Sequence, residues 1–361
     1  MNNRIVGFDL ARAYAILGMF IVNINMVFGS HDDSSFLGNF LTLFDGNSSS
    51  MFVILSGMGI SLMSNRQNYT QKEKHEIRSK IRKRSMFLFF VGLMLNFWWS
   101  ADILHFYGMY MLLASFIVFC DKRVFLLLAG ASLIIFHLLF LIIPYETGWD
   151  FHNFKYIDFY TFGGFFRNLF YNGWNSVFPW ISYFFLGMWL GRLNWDDKKN
   201  MKCIFLIGCL LFLGIKAVVF LTTKYYTVSD TMYQYLSANY VPPSLPFILS
   251  CSGFSLVVIT FFKYIGDIMY RKQSLRKITA LISMGRSTLT NYIQHLTLGI
   301  VIFSLLFTGS LEALQTKHVM SPTIILIYSV LYYLLSLIFS YLWLQKYKNG
   351  PIEILMREIS N

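Results

Sequence analysis

Ten apolar stretches of bilayer length or slightly less follow one another along the chain, at positions 11–28, 48–63, 85–99, 103–120, 124–143, 176–193, 203–222, 245–265, 288–307 and 323–344. Lipid offers no partner for an exposed backbone amide, so such stretches cross as helices of roughly 20 residues. Ten crossings use about 200 residues, which leaves too little of the 361 for a separate soluble catalytic domain. Residues 1–361 are therefore expected to form a single transmembrane domain. The fold class expected is all-α, a polytopic integral membrane bundle of about ten helices, with any chemistry inside the bundle or at its mouths. Only 13% of residues are charged, against about 25% in soluble domains. The stretches at 48–63 and 85–99 are short for a full crossing and are expected to tilt or to extend into their loops.

The net charge of +12 does not mark a nucleic-acid binder, because Lys and Arg are dispersed between the apolar stretches rather than gathered on one surface. Their placement reads as topology. With the N-terminus in the cytoplasm, 23 of the 30 Lys and Arg residues fall on the inner side, and only Lys155, Arg167, Lys224 and Lys317 fall outside. Loops rich in Lys and Arg stay inside, so both termini are expected to be cytoplasmic, in a multi-pass membrane protein. Arg4 and the apolar stretch after it imitate a signal peptide. Asp9 and Arg12 interrupt the pattern and no small-x-small cleavage site follows, so the stretch is read as a retained first span. The basic region from Arg66 to Arg84 is either a solvated topology anchor or a platform for anionic lipid or another polyanion.

The outer segment 144–175 carries thirteen Phe, Tyr and Trp residues and is expected to form an interfacial helix over the bundle, or an aromatic shelf for a sugar or lipid acceptor. Cys120, Cys203, Cys209 and Cys251 form neither a disulfide framework nor a metal pattern, and no metal is expected. Gly57 and the Gly187–Gly191 spacing read as close-packing faces between helices. A phosphate loop would need a lysine and a strand context that are absent.

Polar groups inside or beside the apolar stretches are the informative ones, since an ionisable residue at mid-membrane costs about 2.5–3.5 kcal/mol on insertion scales. Asn23 sits toward the outer end of the first stretch, followed by His31, Asp33 and Asp45. A neutral imidazole can take a proton from an attacking amine or hydroxyl, a carboxylate can orient it, and an amide can donate to an oxyanion. A solvated loop histidine explains the same spacing. Asp102 and His105 share a helix face if their helix begins early enough, as an interfacial pair or as part of acceptor binding or proton transfer. Asn291, Gln294 and His295 form a polar stripe that must face into the bundle, as interhelical hydrogen-bonding groups or as the wall of a substrate passage. Arg286, at the cytoplasmic mouth, could hold a phosphate.

Several stretches together resemble one family. Phe8-Asp9-Leu10-Ala11-Arg12-Ala13 with Leu17-Gly18-Met19 and Val22-Asn23 resembles the first helix of the YeiB-like bacterial membrane proteins (domain of unknown function 418). Asp102-Ile103-Leu104 with Tyr107-Gly108, Gly285-Arg286 with Leu289-Thr290-Asn291-Tyr292, and Gly350-Pro351-Ile352-Glu353 with Arg357 extend the resemblance over nearly the whole chain. That family is similar in turn to transmembrane acyltransferases of the heparan-alpha-glucosaminide N-acetyltransferase kind, which pass acetyl from cytosolic acetyl-CoA to a sugar amine across the membrane. Val22-Asn23, His31 and Asp45 before Gly57 stand in the same order as that branch's motif, and Phe178-Pro179-Trp180 with Gly187-Met188 and Leu190-Gly191-Arg192 resembles its sixth helix. The gap from Asn23 to His31 is shorter than in that branch, and Ser48-Ser49-Ser50 replaces a proline early in the second helix.

The resemblance implies an integral membrane acyltransferase with acyl-CoA, in its simplest form acetyl-CoA, as donor and an envelope glycan or lipid as outer-face acceptor. His31, Asn23 and Asp45 would then be catalytic, Arg12, Arg192 and Arg286 would hold the donor's phosphates, and Asp102, His105, Asn291, Gln294 and His295 would bind substrate. The bilayer is the surrounding partner, and a homodimer is one assembly open to such a bundle. The competing expectation is a transporter or flippase for a lipid-linked or acidic solute, with the same polar features and no bond chemistry.

Overall fold

The computed structural model describes residues 5–30, 33–66, 68–151, 155–225, 236, 239–311 and 319–360. Every one of the ten apolar stretches is helical along most of its length. Six helices are long and apolar enough to cross a membrane: Val6–Phe28, Lys122–Ile142, Lys198–Tyr225, Leu245–Arg271, Thr288–Thr308 and Pro322–Lys346. Two shorter apolar helices, Leu104–Ile117 and Val177–Leu190, stand beside them. Only 17% of the most apolar window of Lys122–Ile142 and 11% of that of Lys198–Tyr225 is buried within the protein. Apolar surface on that scale is at rest against lipid tails and would drive association in water.

The basic region 66–84 is not a loop alone. A capping box starts the Gln71–Asn96 helix, where Thr70 Oγ1 accepts from the Glu73 amide at 3.2 Å and the Glu73 carboxylate accepts from the Thr70 amide at 2.8 Å. The Thr70 amide, followed by the Arg66 guanidinium, holds the Glu73 carboxyl down to about 2. The helix thus begins in a charged half and continues without a break into its apolar half.

The chain divides into two compact units. Met1–Phe52 with Ser255–Leu355 forms the first, and Val53–Phe254 with Met356–Asn361 the second. In the first unit, Val6–Phe28, Thr279–Arg286 and Pro322–Lys346 pack together. The Tyr333 hydroxyl donates to the Ala13 carbonyl at 3.1 Å. The Thr288–Thr308 helix contains a π turn at His295–Gly299. Tyr332 donates to the Gln294 carbonyl at 3.1 Å and Tyr328 to the Gly299 carbonyl at 2.5 Å, so hydroxyls from the neighbouring helix serve carbonyls on both sides of the turn.

In the second unit, Gln71–Asn96 packs on Leu104–Ile117, and Lys122–Ile142 on Val177–Leu190. The segment 144–175 differs from the interfacial helix expected of its aromatic residues. It folds as a short hairpin, Trp149–Asp150 paired with Lys155–Tyr156, followed by the six-residue helix Phe162–Arg167 and a π turn at Asn168–Asn172. Its centre is the buried Asn172 amide, which donates to the Tyr145 and Thr147 carbonyls at 2.7 and 2.8 Å and accepts from the Tyr156 hydroxyl at 2.6 Å. One satisfied polar hub, rather than one amphipathic face, decides the shape.

Gly57 and Gly187 allow two backbones of this unit to touch. A Cβ at Gly187 would collide with the Ile54 carbonyl, and one at Gly57 with the Phe184 carbonyl. Backbone on both sides leaves nothing that can rotate away, so Gly187→Leu is expected to cost about 1–3 kcal/mol or more. Thermal unfolding in detergent should show a clearly lowered transition for this variant, and an unchanged one would contradict the contact.

Candidate functional site

In the first unit the structure brings Asn23 to His295. The Asn23 amide nitrogen lies 2.7 Å from His295 Nε2, and both side chains are buried. His295 Nδ1 lies 3.3 Å from the Asn291 carbonyl. A proton on Nδ1 satisfies that carbonyl and leaves Nε2 as acceptor for the Asn23 amide. Phe20 covers the ring at a centroid distance of 4.7 Å. The Asn291 amide donates to the Ser287 carbonyl at 2.8 Å and to Ser340 Oγ at 2.9 Å, while its Oδ1 has no hydrogen-bond partner. Gln294, half-buried one position before His295, likewise keeps Oε1 without a partner. Two candidates assigned to different roles on sequence grounds thus share one hydrogen bond, and the stripe faces into its unit as expected.

His31 lies outside the described residues. Asp45 is half-buried in the turn before the Asn47–Met63 helix. Desolvation pushes its carboxyl up from 3.8 to about 7, so near neutral pH it can both hold and release a proton. Asp33 is half-buried and accepts from the Ser35 amide at 2.8 Å.

The second unit holds Asp102 and His105. Asp102 Oδ2 accepts from the Leu104 amide at 2.8 Å, from the His105 amide at 3.2 Å and from His105 Nδ1 at 3.2 Å. It thereby caps the Leu104–Ile117 helix and fixes the proton of His105 on Nδ1. His105 Nε2 is left as a lone pair, buried and without a hydrogen-bond partner among the described residues. That is the arrangement of an oriented proton acceptor.

The three arginines expected to hold phosphates have different company. Arg12 pairs with the buried Asp9 at 2.8 Å, and Arg286 donates to the Lys348 carbonyl. Arg192 is held by four neutral acceptors: Ser64 O at 2.7 Å, Asn65 Oδ1 at 3.1 Å, Ser64 Oγ at 2.9 Å and Val118 O at 2.8 Å. Its positive charge meets no carboxylate among the described residues, which leaves it able to attract an anion.

Glu353 did not stand out on sequence grounds as a structural anchor. Its carboxylate accepts from the Leu289 amide at 2.7 Å, the Thr290 amide at 3.2 Å and the Thr290 hydroxyl at 2.6 Å. Burial raises its pKa. These bonds cap the helix that carries Asn291 and His295. Gly285 also packs so closely on the first helix that a Cβ there would strike the Asp9 carbonyl. Three of the sequence motifs, around Asp9, Gly285 and Glu353, therefore meet in one unit.

Residues 4–221 match the family model for the heparan-alpha-glucosaminide N-acetyltransferase catalytic domain, and residues 189–361 match the model described as a protein of unknown function, DUF418. The chain belongs to the DUF418/YeiB-like family related to transmembrane acetyltransferases. No curated protein sequence matches it. The first match contains Asn23, Asp45, Asp102, His105 and Arg192, and the second contains Arg286, Asn291, Gln294 and His295, so the polar groups of both units fall within the family's recognised segments. Apolar helices and family together make this a multi-pass membrane protein.

Asp45 gives this region a pH signature. The folded carboxyl keeps its proton to a higher pH than the unfolded one, so its ionisation weakens the fold: no cost below 3.8, a growing cost as pH rises, and the full cost above about 7. Thermal stability of the wild-type protein is expected to fall over that interval, and Asp45→Asn should flatten the fall. An equal slope in the two proteins would show that Asp45 does not titrate as its burial requires.

Proposed function

We propose that this protein is a membrane acyltransferase that takes an acyl group, in the simplest case acetyl, from acyl-CoA at the cytoplasmic side and passes it to an envelope glycan or lipid at the outer face. The reading includes ten crossings, both termini in the cytoplasm and residence in a bacterial plasma membrane. The observation that carries it is the catalytic-domain match over residues 4–221, which contains Asn23, His31 and Asp45 in order. Support for ten crossings comes from the ten helical stretches, and for sidedness from the distribution of Lys and Arg.

In this reading His31 removes the proton from the acceptor's amine or hydroxyl as that atom attacks the thioester carbonyl. The tetrahedral oxyanion is stabilised by Asn23. Its amide nitrogen carries two protons, of which one serves His295 and the other remains for the oxyanion. Collapse breaks the carbon–sulfur bond, and the departing CoA thiolate takes the proton back from the imidazolium. Asp45 orients His31 and stabilises its charged form. Arg192, with Arg12 and Arg286, attracts the donor's phosphates. Asp102 and His105 accept hydrogen bonds from the acceptor substrate, and Asn291, Gln294 and His295 line its binding surface.

A transporter reading has one observation in its favour. The polar helix is broken at Ser287, widened at His295–Gly299, and keeps buried Asn291 Oδ1 without a partner, features shared with discontinuous helices that bind transported solutes. Release of free CoA thiol separates the two, since a carrier breaks no thioester.

Labelled acetyl-CoA supplied to the purified protein with envelope extracts is expected to yield labelled glycan or lipid and stoichiometric CoA thiol. His31→Ala should lower that transfer about 100-fold or more while leaving the thermal transition in place. Full transfer by the folded variant would remove the mechanism, and thioester left intact by the wild type would remove the acyltransferase reading.

A further inference from the structure

A groove of about 540 Å³ runs along one face of the Gln71–Asn96 helix, with Ile359 of the C-terminal helix at its side. The two ends differ chemically. His75, Arg82 and Lys83 line the end nearer the helix N-terminus, and Met86, Phe90 and Met94 line the other. The three apolar residues are spaced by four and lie on one helical face. They are 43%, 55% and 73% exposed, so the apolar end opens sideways.

Arg82, at the first end, rests on a hydroxyl and an aromatic ring. Arg82 donates to Ser115 Oγ at 3.3 Å and lies over the Phe116 ring at 4.8 Å. Arg84, on the same stretch of helix, donates to Ser360 Oγ at 3.2 Å. Burial, followed by the charge of Arg357, lowers the Arg84 pKa, and Lys80 is lowered by desolvation and then by Arg84 and Arg357. Lys80, Arg84 and Arg357 do not line the groove, and they add to the positive potential beside it.

We propose that this groove binds an anionic glycerophospholipid, with the phosphate on Arg82 and Lys83 and one acyl chain laid along Phe90 and Met94. The dimensions agree with that occupant. From Met86 to Met94 the helix rises about 12 Å, close to the roughly 15 Å of one hydrocarbon leaflet, so the cations fall where headgroups lie. A free phosphate ion would use only the charged end and leave the apolar end without a purpose. Clustered bases beside a membrane helix recognise anionic headgroups through the same electrostatics. This site is independent of the acyl-transfer reading, since none of its residues has a role there.

Native mass spectrometry on the full-length protein, extracted into detergent with an equal mixture of phosphatidylglycerol and phosphatidylcholine, tests the assignment. Phosphatidylglycerol should be retained several-fold over phosphatidylcholine, and Arg82→Gln combined with Lys83→Gln should reduce that preference roughly tenfold or more. Arg82→Lys should keep most of it, and Lys155→Gln, remote from the groove in sequence and lining none of it, should leave it unchanged. Soluble glycerol phosphate should compete poorly, because it lacks the chain. Equal retention of the two lipids, full displacement by glycerol phosphate, or displacement by CoA at concentrations that leave phosphatidylcholine bound would each overturn the proposal. The wild-type competition alone decides the matter if the double variant does not fold.

Discussion

Every polar group that this chain takes into the hydrocarbon layer must find its partner in protein, and that requirement organises both units. Asn172 spends its whole amide on carbonyls and a tyrosine hydroxyl. Asp102 collects two backbone amides and an imidazole proton on one oxygen. Glu353 accepts from the amides that a helix start leaves open. Leaving any such donor or acceptor without a partner costs about 1–3 kcal/mol, and lipid supplies no water to soften the loss. Among the described residues, His105 Nε2, Asn291 Oδ1 and Gln294 Oε1 are buried site atoms without a hydrogen-bond partner, so a substrate group would gain a bond there.

Helices were legible from hydropathy because in lipid each helix satisfies its own backbone, so local sequence and local structure coincide. The ten stretches follow from that rule, whereas the helix through the basic region is charged at its start and begins on the Thr70–Glu73 capping box. The outer segment did not follow it. Its aromatic richness reads equally well as an interfacial helix or as a compact cap, and the decision rests on Asn172, a single polar residue whose partners lie 16 to 27 positions away. A periodicity argument has no access to such a hub.

The candidate site was legible as a set of residues and illegible as a set of pairs. Asn23 and His295 each attract attention as polar residues in apolar stretches, but 272 positions separate them and nothing local marks them as partners. Glu353 looked like part of a tail motif until its carboxylate met the Leu289 and Thr290 amides. By contrast, Asp102 and His105 are three apart, and helical spacing alone brings them together. Arginine identity was visible and arginine surroundings were not, since Arg12 pairs with Asp9 whereas Arg192 meets carbonyls and hydroxyls and no carboxylate among the described residues.

The bond between Asn23 and His295 also bears on why an amide, and not a charged group, stands at the end of the first helix. In the proposed acyl transfer a donor such as Asn23 is most effective when its direction is fixed before charge develops, because nothing then has to reorganise as the oxyanion forms. A lysine or arginine would supply more charge, but it would bring a mobile side chain and a larger desolvation cost into a buried position. Asn23 is clamped by one proton to Nε2 of an imidazole whose own tautomer is set by the Asn291 carbonyl. The helix carrying that imidazole is in turn pinned by Glu353 at its start and by tyrosine hydroxyls about its π turn. The orientation of one amide proton is thus held by a chain of hydrogen bonds that reaches from the first helix to the last, which explains why motifs so far apart in sequence belong to one family pattern.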